Sequence, residues 1–106
     1  MIRKDFHPLF FRDVEGIEAH ILSVTEDPVA ALRRIDEIDA LIAAIQSNPL
    51  SGIRLRGRLD GCLVRHGGRD QKIRIVYRPM LSDGVIRYGL VSFGGQNWSA
   101  LAEDRL

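Results

Sequence analysis

Apolar residues recur along the first half of the chain with a helical period. Phe10, Val14, Ile17, Ile21 and Val24 follow 4-3-4-3 spacing, and so do Ala31, Ile35, Ile38, Ile42 and Ile45. Each set places one apolar stripe on one helix face. Pro8 suits a first helical position, and Gly16 weakens the first helix without breaking it. Between the stripes, Asp27 is a good N-cap and Pro28 a good first-turn residue. The stripes match in length and the connection is short. That predicts an antiparallel helical hairpin with one face left to pack on something else. Ile38, in the middle of its stripe, is expected to be buried against the first helix and a sheet.

After "SNPLSG" (Ser47–Gly52) the period changes to two. Asp60–His66, Lys72–Pro79 and Val85–Phe93 predict three strands, joined by a turn at "GGRDQ" and by the Asp83-Gly84 turn signal. Pro79 offers no N–H to a ladder and is placed at the end of its strand. Residues 94–106 predict a closing helical turn, and about Ile2–Phe6 a short first strand. The fold class is therefore α+β in a single domain over residues 1–106. The helical hairpin packs on one face of a small antiparallel sheet, in the order (β)-α-α-β-β-β. The other face of such a sheet can stay open to water. In "KIRIVYRP", alternation turns Ile73, Ile75 and Tyr77 toward the helices. Lys72, Arg74, Val76 and Arg78 fall on the open side.

Charge sharpens this picture. The net charge is +1, but residues 1–50 carry a balance of −4, residues 51–78 of +6 and residues 79–106 of −1. Seven of the eight cations in the middle block are arginine, which suits bidentate pairing with phosphate or carboxylate. A chain of 106 residues with 45% hydrophobic residues buries a core without staples. No apolar run is long enough to cross a membrane, and no leader peptide is evident. Cys62 has no partner for an internal disulfide, so a cytoplasmic protein with no membrane contact is expected. Cys62 itself fits a small core side chain. His7, His20 and His66 show no metal-ligand spacing, so neither a metal nor a cofactor is expected. His7 fits a helix entry and His20 the polar side of the first helix. Trp98 fits either packing of the tail or an anchor for a partner.

The order of these motifs resembles the RelE/ParE toxin family of type II toxin–antitoxin systems. The resemblance covers roughly residues 4–95. It rests on the helical hairpin, the loop Arg54-Leu55-Arg56-Gly57-Arg58-Leu59-Asp60-Gly61, the strand around Arg65, and Ile73-Arg74-Ile75-Val76-Tyr77. In the last of these, Ile73 stands where an aromatic is usual. The resemblance implies a toxin neutralised by a cognate antitoxin, with one of two targets. RelE-like members cut messenger RNA on the ribosome without a metal: a 2′-hydroxyl attacks its own phosphate, and basic side chains stabilise charge and move protons. ParE-like members inhibit DNA gyrase without a known hydrolytic site. A third possibility is an inactive member that only binds antitoxin or nucleic acid. The arginines favour the ribosome-dependent endoribonuclease. On that reading Arg54, Arg56, Arg65 and Arg74 converge on one phosphate. Arg65, Arg74 and His66 are the catalytic candidates, and Arg54, Arg56, Arg58, Lys72 and Arg78 the nucleic-acid contacts. The cutting branch also places an Arg or His, then a Tyr, after the last strand. Here Gln96, Asn97, Trp98 and Ala102 stand there, and none transfers a proton at neutral pH. His66 is the substitute proton carrier. Arg65 and His66 are adjacent, so a regular strand turns them to opposite faces.

Overall fold

A computed structural model describes residues 1–106. The chain forms β1 (Arg3–Phe6), α1 (Phe10–Thr25), α2 (Pro28–Ser47), β2 (Ile53–Arg54), β3 (Leu63–Gly67), β4 (Ile73–Met80), β5 (Val85–Phe93) and α3 (Trp98–Arg105). Short 3₁₀ turns occupy Gly57–Leu59 and Leu81–Asp83. The architecture is the expected α+β one, with the hairpin on one face of the sheet. Asp27 caps α2 through its side chain, which accepts from the Val29 N–H at 3.0 Å, and Pro28 opens the helix. α1 begins at Phe10 rather than at Pro8. His7 serves the helix entry, its Nδ1 accepting from the Leu9 N–H.

The five strands lie in the order β1-β5-β4-β3-β2. β2 to β5 pair antiparallel and β1 adds parallel to β5, so the sheet is mixed. The parallel pairing is possible because the whole hairpin serves as the crossover between β1 and the meander.

Ile73, Ile75 and Tyr77 enter the main core, together with Phe10, Ile17, Ile21, Ile38, Ile42 and Ile45 from the helices. Ile38 is 1% exposed, as its mid-stripe position predicts. Val24 departs from its stripe and is 68% exposed. Within the core, the Tyr77 hydroxyl donates to the Pro49 carbonyl and accepts from the Gly52 N–H, at 2.9 and 3.1 Å. These bonds fasten the α2–β2 loop to the sheet, and burial pushes the Tyr77 pKa up.

The second face of the sheet is not open along its length. Val64, Val76 and Leu90 form a smaller core there with Leu59, Cys62 and Ala102, flanked by Leu55, Trp98 and Leu106. α3 and the Gly57–Leu59 turn lie over this half. Trp98 therefore packs the tail, and Cys62 is the core thiol its type suggests, its pKa raised by burial. The face stays uncovered at the end nearest the β3–β4 turn, and again where the exposed Arg87 and Asp5 side chains pair on β5 and β1.

Candidate functional site

The cationic candidates fall where strand register puts them. β3 pairs Leu63 with Tyr77, Val64 with Val76, Arg65 with Ile75 and His66 with Arg74. Leu63, Tyr77 and Ile75 belong to the helix-facing core, so Arg65 emerges on the helix side. Its Nη1 donates to Ser51 Oγ at 2.9 Å. Arg54 pairs with Leu63 and lies on that same side, at the β2 edge. His66 and Arg74 share the outer face. The structure therefore brings Arg54 and Arg65 together on one side of the sheet and His66 and Arg74 on the other. The sheet itself stands between the two pairs, so the convergence of Arg54, Arg65 and Arg74 does not occur.

Arg74 is held rather than free. It stands across from Ser92 and donates to Ser92 Oγ at 3.0 Å, and its second Nη donates to the Gly94 carbonyl. Ser92 is almost wholly buried. His66, Arg74 and Ser92 thus form a polar row across three strands, at the end of the outer face nearest the β3–β4 turn. Arg78, further down the same face, donates to the Asp60 and Leu106 carbonyls at 3.2 and 3.3 Å. It ties the loop before β3 to the end of α3. Arg54, Arg56, Arg58 and Lys72 are exposed.

Two further features were missed in the sequence. The first is Arg34, on the buried face of α2 between Ala31 and Ile38, which is 5% exposed. It makes a two-pronged pair with Asp70 in the β3–β4 turn, at 2.9 and 2.7 Å, and reaches Glu37 at 2.9 Å. Its guanidinium also lies 4.7 Å over the Phe93 ring. The Arg34 hydrogen bond holds the Asp70 carboxyl well below the usual carboxylate range, and the same bond raises the Arg34 pKa. This cluster consumes one of the cations that composition alone leaves unassigned. Nothing local in the sequence signals it, since Asp70 is 36 residues away.

The second feature is the free edge of β5. β1 reaches only as far as Tyr88, so Gly89–Phe93 have no strand on that side. Side chains take its place. Arg105 donates to the Gly89 carbonyl at 3.1 Å, Asp13 accepts from the Val91 N–H at 3.2 Å, and Gln96 Oε1 accepts from the Phe93 N–H at 3.1 Å. Arg105 also pairs with Asp13, which clamps α3 to α1. A groove of about 480 Å³ opens beside this edge, between α1 and the end of β5, with Arg12 and His20 at its mouth. Gln96 is therefore occupied in holding its own loop. No group of three or more His, Cys, Asp or Glu side chains is placed to hold a metal ion. No helix is long and apolar enough to cross a membrane.

No protein-family profile matches the sequence, and no curated protein sequence matches it. The fold does have a solved counterpart. A chain in the structure described as "Chromosomal ParDE TA system from P. aeruginosa" superposes with a TM-score of 0.71, over 89% of this chain and 97% of that one, at 16% identity. The polypeptide thus has the fold of a chain from a ParDE toxin–antitoxin system.

Proposed function

We propose that the chain is the toxin of a type II toxin–antitoxin pair, and that it acts by binding its target rather than by cutting RNA. The observation that carries the second half is the register of β3 on β4. A metal-free ribonuclease needs several preorganised donors around one phosphate, because the developing charge must be met from more than one side. Here Arg54 and Arg65 lie on the helix side of the sheet, while His66 and Arg74 lie on the outer side. Arg74 further spends donors on Ser92 and Gly94. A toxin that works by occupying a surface requires no such convergence.

The first half rests on the order of sequence motifs and on the ParDE fold neighbour. Taken with the resemblance, they favour DNA gyrase as the target and a cognate antitoxin as the partner, both cytoplasmic. One observation favours the other branch. His66 and Arg74 are direct cross-strand partners on one face, so a proton carrier and a charge stabiliser do stand side by side. On that reading the exposed Arg56 and Arg58 hold messenger RNA on the ribosome.

The test is to induce the chain without its antitoxin in a bacterial host, and to follow growth, messenger RNA ends and plasmid supercoiling in the same cells. Growth arrest with relaxed plasmid and intact messenger RNA is the expected result. Fresh cuts in translated messages, with supercoiling unchanged, would reassign the chain to the endoribonuclease branch. Unimpaired growth would remove the toxin reading.

A further inference from the structure

The side of the hairpin turned away from the sheet carries apolar residues that the fold does not use. Leu22 is 42% exposed and Leu32 56%, and Val29 beside them is also exposed. Leu22 and Ala19 on α1 face Pro28, Ala31 and Leu32 on α2 across a shallow trough of about 370 Å³. A trough between two antiparallel helices is shaped to take a third, because ridges of side chains pack into grooves of this kind.

Its rim is acidic and unpaired. Glu18 lines the trough. Glu15 lies one turn from Ala19 on α1, Glu26 caps the end of that helix, and Asp36 lies one turn from Leu32 on α2, with Asp39 beyond it. The ion pairs of the fold engage Asp5, Asp13, Glu37 and Asp70, and none of the rim carboxylates. On the hairpin itself only Arg12 and Arg33 are cations outside those pairs. Arg12 belongs to the groove beside β5, and Arg33 follows Leu32. The hairpin therefore presents an apolar floor with an unneutralised negative border, on a molecule whose cations are gathered in residues 51–78.

We propose that this trough is a docking site for a cationic amphipathic helix of a protein partner, whose apolar stripe fills the floor and whose Lys or Arg flanks meet the rim. A second copy of the chain fits poorly. A symmetric pairing would set one acidic rim against another. A lipid surface fits poorly too, because cellular membranes present anionic headgroups to the same negative border. The inference stands on the hairpin alone and does not depend on the toxin reading.

The experiment measures fluorescence anisotropy of dye-labelled peptides of roughly 18 residues, long enough to lie along the hairpin, against the full chain. Three peptides are compared: an amphipathic Leu/Lys helix, the same helix with Glu for every Lys, and a scrambled Leu/Lys sequence without a stripe. The amphipathic Leu/Lys helix is expected to bind, and the Glu version at least about tenfold more weakly. The double variant Leu22→Ser/Leu32→Ser changes only exposed positions. It should keep its circular dichroism and melting curve while losing about tenfold in affinity for the Leu/Lys helix. Equal binding of the scrambled peptide would overturn the proposal, since charge alone would then explain the interaction. So would binding that the double variant leaves unchanged, or no binding at all. Self-association in sedimentation that the double variant abolishes would make the occupant a second copy. Binding to phosphatidylglycerol vesicles abolished by the same variant would make it a membrane. Either result would overturn the proposal.

Discussion

Arg74 stands across from Ser92, one residue further along β5 than the turn alone would place it. Counting back from the Tyr77–Tyr88 pair without interruption would set Arg74 opposite Val91. The ladder slips between Val76 and Tyr77, and the extra residue on β5 is Gly89. That slip sets the buried Ser92 hydroxyl, rather than an isopropyl group, against the guanidinium. Arg74→Ala and Ser92→Ala should each cost about 1 kcal/mol of stability, the usual net worth of a hydrogen bond. The double variant should cost less than the two together, because both single changes delete the same bond. Urea denaturation of the four proteins checks this. Strict additivity would show that the bond contributes nothing.

Ile38 tests the phase of the hairpin. The side chain is 1% exposed and faces the main core. Ile38→Ala should cost about 2–4 kcal/mol through lost burial and the cavity left behind. For a domain of this size that corresponds to a fall in Tm of at least roughly 8 °C. A melting curve within a degree of wild type would contradict the packing described here.

Asp70 gives the fold an acid sensitivity of defined sign. Its carboxyl is depressed, first by the Arg34 hydrogen bond. A depressed acid contributes stability that is fully present above its unfolded pKa of about 3.9 and is lost as pH falls toward the folded value. Wild type should therefore lose stability below about pH 4 more steeply than Asp70→Asn, which has no proton to gain at that site. At neutral pH the variant should be the less stable of the two, because it leaves Arg34 with Glu37 as its only charged partner. Parallel stability curves from pH 7 to pH 3 would show that the pair does not titrate with unfolding.

The clamp between Arg105 and Asp13 holds α3 against α1 and closes the edge of β5. Asp13→Asn should loosen α3 selectively. Amide exchange should rise by about tenfold across residues 98–105, equivalent to about 1.4 kcal/mol, while β4 stays protected. Exchange that rises evenly over the whole chain would mean that α3 has no local opening of its own.

The sequence made some of these features legible and hid others for physical reasons. Both helical stripes, the Asp27 cap and the limits of β5 follow from spacing and capping chemistry, which are local. The opposite facing of Arg65 and His66 also follows, from the pleat alone. The pairing of Arg74 with Ser92 does not, because a single bulge shifts the register. Gly89 inside a strand pattern was the available hint. The smaller core on the outer face was illegible for another reason. Val76 alternates with arginines, and its cover comes from residues 57–59 and 98–106, distant in sequence. Arg34 lies on the buried face of α2, and only the arrival of Asp70 and Phe93 makes its burial possible.

Purified bacterial DNA gyrase shows whether the chain acts by binding its target. Gyrase, relaxed plasmid and ATP are incubated with increasing amounts of the refolded chain, and supercoiled product is measured. Inhibition should saturate with the chain and disappear when the cognate antitoxin is added first. Unimpaired supercoiling at saturating chain, together with codon-phased cutting of messenger RNA in a translating extract, would contradict action by binding.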